Sequence, residues 1–248
     1  MSAELHNGAL SESVLQVYLL GTLDFDTLLR LQRRLQFDVS GDRRQAALIV
    51  CEHPPLITVG RQGSRTHIHM EPEELQVRGW PIRWVNRGGG CVLHLPGQLA
   101  LYPILPLDRL HCDIAGYLQK LGETICDLLG DFSLNARLHV NERGVWAGER
   151  LLAAVGVSVR DWVSGYGAYV NIHHALDLYR FVTTSVDEPH PMTSLERERR
   201  GPVRPSLVRE RLVEHFRSRF GFARVALFSD HPTLNVGHAS NVPAPSVR

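Results

Sequence analysis

The chain has 248 residues, 44% hydrophobic and 21% charged, with a formal net charge of +1. This suits one large globular domain, or one domain with a small appendage, and a sizeable core. Near-neutral charge without a basic run leaves no footprint for nucleic acid, and no stretch approaches the roughly 18 apolar residues of a membrane span.

The polar start, "MSAELHNGALSES", has no basic or apolar leader region, so no signal peptide is expected and residues 1–13 read as a flexible tail. "VLQVYLLGTL" predicts a first strand. "DFDTLLRLQRRLQFDV" predicts a helix with Asp24 or Asp26 as N-cap and Leu28, Leu31 and Leu35 at helical spacing. "AALIVCEH" predicts a buried strand closed by Pro54 and Pro55, "PLITVGRQG" another, and "PEELQVRGW" a short helix ended by Gly79. "PIRWVNR" and "CVLHLPGQLALYPIL" predict strands around a glycine loop. "DIAGYLQKLGETICDLLGDF" predicts an amphipathic helix with Ile114, Tyr117, Leu118, Leu121, Ile125 and Leu128 on one stripe. "RGVWAG", "ERLLAAVGVSVRDWV" and "GYGAYVNIHHAL" predict a strand meander, and "SLVRERLVEHFRSRFG" a final helix stopped by Gly221. Residues 229–248 read as a tail. The order predicts an α+β fold with a mixed, mostly antiparallel sheet flanked by helices.

Cys51, Cys91, Cys112 and Cys126 lack paired metal spacing and are expected as reduced thiols. Lys120 is the only lysine, so a mechanism that needs one has a single candidate.

The loop "RGGGCVLH" sets a fixed cation, Arg87, beside Gly88, Gly89 and Gly90. Consecutive unshielded N–H groups suit a carbonyl or anionic group lying against backbone, although a triglycine by itself also fits a flexible turn. Downstream, apolar residues flank one polar side chain, His94, which fits either a greasy pocket with one hydrogen-bonding group or a buried structural histidine. Cys91 and His94, three apart on a strand, point to opposite faces, so Cys91 reads as a small core residue.

"CEHPPLITVGRQG" and "RGGGCVLHLPGQLALYPIL" resemble the octanoyltransferases of lipoate biosynthesis, which share the lipoate/biotin protein ligase fold. "GVWAGERLLAAVGV", "SGYGAYVNI" and "MTSL" look like the later segments of that family, and the resemblance runs from about Val14 to about Phe228. It implies a single catalytic domain over 14–228. It implies an acyl site lined by Arg87, Gly88, Gly89, Gly90, Cys91, Val92, Leu93 and His94, with Ala154, Val155, Gly156, Gly167, Ala168 and Tyr169. It also implies octanoyl-acyl carrier protein as donor, and as acceptor the lipoyl domain of a dehydrogenase complex or the glycine cleavage H protein. The location would be cytoplasmic, with no metal, no bound cofactor, no nucleic acid and no membrane.

The chain departs from the family at the chemistry. Such enzymes use a cysteine nucleophile with a nearby lysine, because a neighbouring cation lowers the thiol pKa. Matching "ERLLAAVGV" puts Leu151 at the lysine position, and counting back from "MTSL" puts Ser185 at the cysteine position. Tyr166 stands where the family has histidine, and Asn171 is retained. Cys91 and Lys120 are poor replacements, and His190 is a conceivable base for Ser185. Two further readings stay open. One is an inactive relative that binds an acyl chain or acyl carrier protein as a partner subunit. The other, a lipoate or biotin protein ligase, is weakened by the same missing lysine.

Overall fold

Strand β1 (Val14–Thr22) sends Leu15 and Val17 to one side of the main sheet and Tyr18 to the other, and both sides are covered. The computed structural model describes residues 13–139, 144–184 and 190–237. Helix α1 (Phe25–Gly41) follows, and its N-cap is Asp24, whose carboxylate accepts the Thr27 N–H at 2.9 Å. β2 (Ala46–Glu52) is apolar at nearly every position, as befits a strand buried on both faces. Next come β3 (Leu56–Val59), α2 (Pro72–Arg78), β4 (Ile82–Trp84), β5 (Cys91–His94) and β6 (Gln98–Ile104). Gly79 ends α2 with φ +64°, a left-handed conformation that favours glycine. α3 (Ile114–Asp131) precedes a meander of β7 (Ala136–His139), β8 (Gly144–Ala147), β9 (Arg150–Arg160) and β10 (Val163–Asn171). α4 (Leu195–Arg199), α5 (Pro205–Phe220) and β11 (Arg224–Phe228) complete the order.

The main sheet runs β11-β1-β2-β6-β10-β9-β8-β7. It is mixed: β1 pairs parallel with both β2 and β11, and the other neighbours are antiparallel. α3 and α5 cover one face, where Tyr117, Leu121, Ile125 and Phe216 meet Val50, Leu101 and Val170. α1 covers the other, where Leu28, Leu31 and Leu35 meet Ile49, Tyr102 and Tyr169. A second sheet, β4-β3-β5, has its own small core with Ile57, Val59, Leu75 and Trp80. This is the α+β arrangement expected, a mostly antiparallel sheet flanked by helices.

Several details differ from expectation. Ile114 is half exposed rather than on the buried stripe of α3, because it opens the first turn, before the helix reaches the core. β7, α4 and β11 were not anticipated; each is four or five residues long and partly exposed, so neither a two-residue nor a 3.6-residue period develops. Past β11, inside the stretch read as a tail, a 3-10 turn spans Pro232–Gly237, and Leu234 rests against the core under α1. Among the described residues, no helix is long and apolar enough to cross a membrane.

Candidate active site

Arg87 does not reach outward. It is 1% exposed and folds back into its own loop. Nη1 donates to the carbonyls of Gly88 at 3.0 Å and Gly90 at 3.1 Å. Nη2 donates to Thr58 O at 3.1 Å and Thr58 Oγ1 at 2.7 Å. The guanidinium also lies over the Tyr169 ring, 5.7 Å from its centroid. A buried cation held by neutral oxygens depends on these bonds, each worth about 1.5–3 kcal/mol when the donor is charged.

The glycines are used for close packing of backbone on backbone. A Cβ on Gly60, just past β3, would stand 2.4 Å from Gly89 O; one on Gly156, in β9, would stand 2.7 Å from Gly88 O. Gly89 itself has φ +83°. The expectation that the loop offers its amides to a ligand meets a correction at two positions. The Gly88 N–H donates to Val157 O at 2.9 Å, and the Gly89 N–H to Gln62 Oε1 at 3.1 Å. Both amides are spent on holding the loop between β3 and β9.

His94 is fully buried and sits in a directed chain of hydrogen bonds. Thr58 Oγ1 accepts from Arg87, so its own proton goes to His94 Nε2, 2.9 Å away. His94 Nδ1 then carries the ring hydrogen and donates to Gln98 Oε1 at 3.0 Å. Gln98 Nε2 donates to Asn171 Oδ1 and Tyr179 Oη, both at 3.1 Å. Asn171 Nδ2 donates to Thr193 O at 3.0 Å. Each link has one consistent direction from Arg87 to Thr193. Burial, then the neighbouring His53 and Arg87, hold His94 well below the ordinary imidazole value, so it is neutral, as the chain requires. His53, pushed down to about 4 by burial, donates from Nδ1 to Leu23 O and accepts the Tyr102 hydroxyl at Nε2, each at 2.7 Å.

β5 separates its residues as alternation demands. Val92 and His94 face the α1 side, His94 against Phe25 and Tyr169. Cys91 and Leu93 face the small core. Burial raises the Cys91 thiol pKa, and Sγ lies 3.6 Å from Ser64 O, so Cys91 is a core residue on the face away from His94. The paired strands β9 and β10 split in the same way. Ala154 and Tyr169 are opposite each other and share the side of Arg87 and His94. Gly156 pairs with Gly167 and abuts the glycine loop. Val155 and Ala168 point into the core under α3 and α5. Tyr166, expected from the resemblance at the family histidine position, is nearly buried with φ +54°, and its N–H donates to Gln32 Oε1 at 2.8 Å.

Leu151 is buried at the start of β9, opposite Trp146 of β8. Its N–H donates to Pro191 O at 3.0 Å and its carbonyl accepts from the Thr193 N–H at 2.9 Å. A Cβ on Gly144 would lie 2.3 Å from Leu151 Cδ1, so the leucine occupies the crook between Gly144 and Trp146. Ser185 lies outside the described residues; the segment resumes at His190. Lys120 is remote, with Nζ 5.9 Å from the Phe220 ring centroid on the α3–α5 side. Among the described residues, no group of His, Cys, Asp or Glu is placed to hold a metal ion.

Thr58, Gln98, Tyr179 and Thr193 escaped sequence reasoning. Gln98 had a signal: it follows His94 by four residues across the Pro96-Gly97 turn. Thr58 sits beside it only because β3 and β5 pair, with Thr58 opposite Val92. Thr193 closes the chain outward. Its hydroxyl donates to Glu198, whose carboxylate takes two bonds from Arg150, each at 2.8 Å.

This architecture is that of lipoate-protein ligases. It superposes on lipoate-protein ligase A bound with ATP with a TM-score of 0.72 at 17% identity, covering 90% of this chain and 92% of that one. A putative lipoate protein ligase from T. acidophilum with bound lipoic acid gives 0.69 at 18%, with the same coverage. The family described as "Lipoyl protein ligase A/B catalytic domain" matches residues 24–217. Octanoyltransferases from Syntrophobacter fumaroxidans and Solibacter usitatus are each 34% identical, over 81% and 82% of this chain and 88% and 91% of theirs. The chain belongs to the lipoyl protein ligase A/B catalytic domain family and, within it, to the octanoyltransferases.

Proposed function

We propose that the chain moves an octanoyl group from acyl carrier protein to a lysine of a lipoyl domain, in a dehydrogenase complex or in the glycine cleavage H protein. One observation carries this: curated relatives at 34% identity over about four-fifths of the chain are octanoyltransferases. Residues 14–228 form the catalytic domain, working in the cytoplasm without metal or bound cofactor. The acyl site is assigned to the region bounded by Arg87 to His94 and by β9 and β10. Ala154, Gly156 and Tyr169 support the assignment, because they turn towards Arg87 and His94. Val155 and Ala168 would take part through their backbone, since their side chains enter the opposite core. Ser185 holds the family nucleophile position, and Leu151 that of its lysine.

The experiment mixes the chain with octanoyl-loaded acyl carrier protein and a lipoyl domain, and reads intact masses over time. Octanoylation of the lipoyl domain above the protein-free rate supports the reading. Retained binding of acyl carrier protein with no transfer overturns it.

A further inference from the structure

A cleft of ≈ 540 Å³ opens beside Leu151. His69, Tyr179, Thr183, His190 and Met192 are among its lining residues. Two connections tie it to the parts already described. Tyr179 lines the cleft and also accepts from Gln98, so the cleft meets the hydrogen-bond chain that begins at Arg87. Pro191 and Met192 line it too, and the backbone of Leu151 bonds to Pro191 and bridges to Met192. His190 precedes these two residues. Its ring packs edge-on against Trp146, centroids 4.7 Å apart at 85°, and Trp146 is the cross-strand partner of Leu151. Trp146 is 4% exposed, yet its indole N–H has no acceptor among the described residues. This corner therefore pairs an imidazole ring with a buried indole donor, with no lysine among the described residues that line the cleft.

We propose that His190 is the general base of the transfer, a role that rests on the acyltransferase reading above. Without an acyl-enzyme intermediate, the neutral amine of the acceptor lysine attacks the thioester carbonyl directly. The C–N bond forms while the imidazole takes a proton from nitrogen. The tetrahedral centre then collapses, the C–S bond breaks, and the imidazolium returns the proton to the departing thiolate. The products are an amide and a free thiol, and no other reactant is consumed. Imidazole suits this because one ring nitrogen can accept a proton and later return it, and the ring lies on the wall of the cleft. His69, the other imidazole of the cleft, is less suited, since its Nε2 is 2.7 Å from Thr183 Oγ1.

The test measures transfer by the full chain, by His190→Ala and by His190→Gln, with and without added imidazole, each corrected for the protein-free rate. The expected result is a loss of about 100-fold or more in both variants, the usual scale of general-base catalysis. Added imidazole should restore part of it in His190→Ala but not in the bulkier His190→Gln. No octanoyl adduct should accumulate on the chain itself. Unchanged transfer in His190→Ala overturns the assignment. Loss without imidazole rescue makes His190 a packing residue and overturns it too, and an octanoyl adduct competent in transfer overturns the direct route. If the unaltered chain transfers nothing, the functional reading itself fails, which is a different result from any of these.

Discussion

The carbonyl of Leu151 accepts the N–H of Thr193 at 2.9 Å, and Thr193 in turn gives its own carbonyl to Asn171 at 3.0 Å. The start of β9 and the segment after residue 190 are therefore joined by main chain, independently of the side chain at 151. The side chain at 151 can therefore be exchanged without breaking these main-chain bonds.

That separation allows a direct test of the proposed assignment of positions 151 and 185 to the family's lysine and cysteine. In the double variant Leu151→Lys, Ser185→Cys, an ammonium beside a thiol recreates the activated nucleophile. Incubation with octanoyl-acyl carrier protein should give a hydroxylamine-labile octanoyl adduct by intact mass, and neither single variant should. Placing the lysine where a buried leucine stood should lower stability by about 1–3 kcal/mol. An adduct-free double variant that still folds would show that positions 151 and 185 do not share a site.

The glycine loop is sensitive at its neighbours. Gly60→Ala puts a methyl 2.4 Å from Gly89 O, and backbone cannot swing aside as a side chain tip can. Urea unfolding should report a loss of about 1–3 kcal/mol. Gly41→Ala, where a Cβ meets nothing within 4 Å, should be neutral or stabilising by up to about 1 kcal/mol.

Thr58→Val tests the direction of the polar chain. The valine keeps the shape but removes the hydroxyl that accepts from Arg87 and donates to His94. A loss of about 1–3 kcal/mol is expected from the two groups left unpaired. Nitrogen chemical shifts should show the His94 hydrogen on Nδ1 in the unaltered chain. A hydrogen on Nε2 would reverse the chain and refute its stated order.

Acid should weaken the fold between about pH 6.5 and 4. Burial lowers His53 and His174 from 6.5 to about 4, and His94 falls well below its usual value. In that window the unfolded chain binds protons that the folded chain refuses, so stability present above 6.5 is lost as pH falls. Each histidine adds a slope of at most about 1.4 kcal/mol per pH unit. The carboxylates held low by arginine, Asp26 and Glu198, begin to add to this loss only at the acid end of the window, as pH falls towards their ordinary values of 3.8 and 4.5. Urea midpoints at pH 7 and pH 5 should differ accordingly; equal midpoints would mean that these histidines are solvated.

The fold was legible where patterns were long. α1 and α3 show helical periodicity over four turns, and β9 and β10 are long runs broken by a tight turn. β7, α4 and β11 are too short and too exposed to show a period. At the site, the cluster from Arg87 to His94 stood out because glycine repeats are costly in a strand. What Arg87 does with its guanidinium did not, since a flexible side chain can point anywhere until β3 and β9 close around it. Thr58, Gln98, Tyr179 and Thr193 come from four separate segments, so nothing in linear spacing links them.

β5 is only four residues long, yet Val92 belongs to one core, with His94 against Phe25 and Tyr169 on the same side, while Cys91 and Leu93 belong to another. It works as a party wall between two rooms. Neither room can be opened without taking down the wall of the other, so the small sheet is denied an unfolding event of its own. Its strands and the α1 face of the large sheet must open together, which ties the loop before β5 to the global stability of the protein.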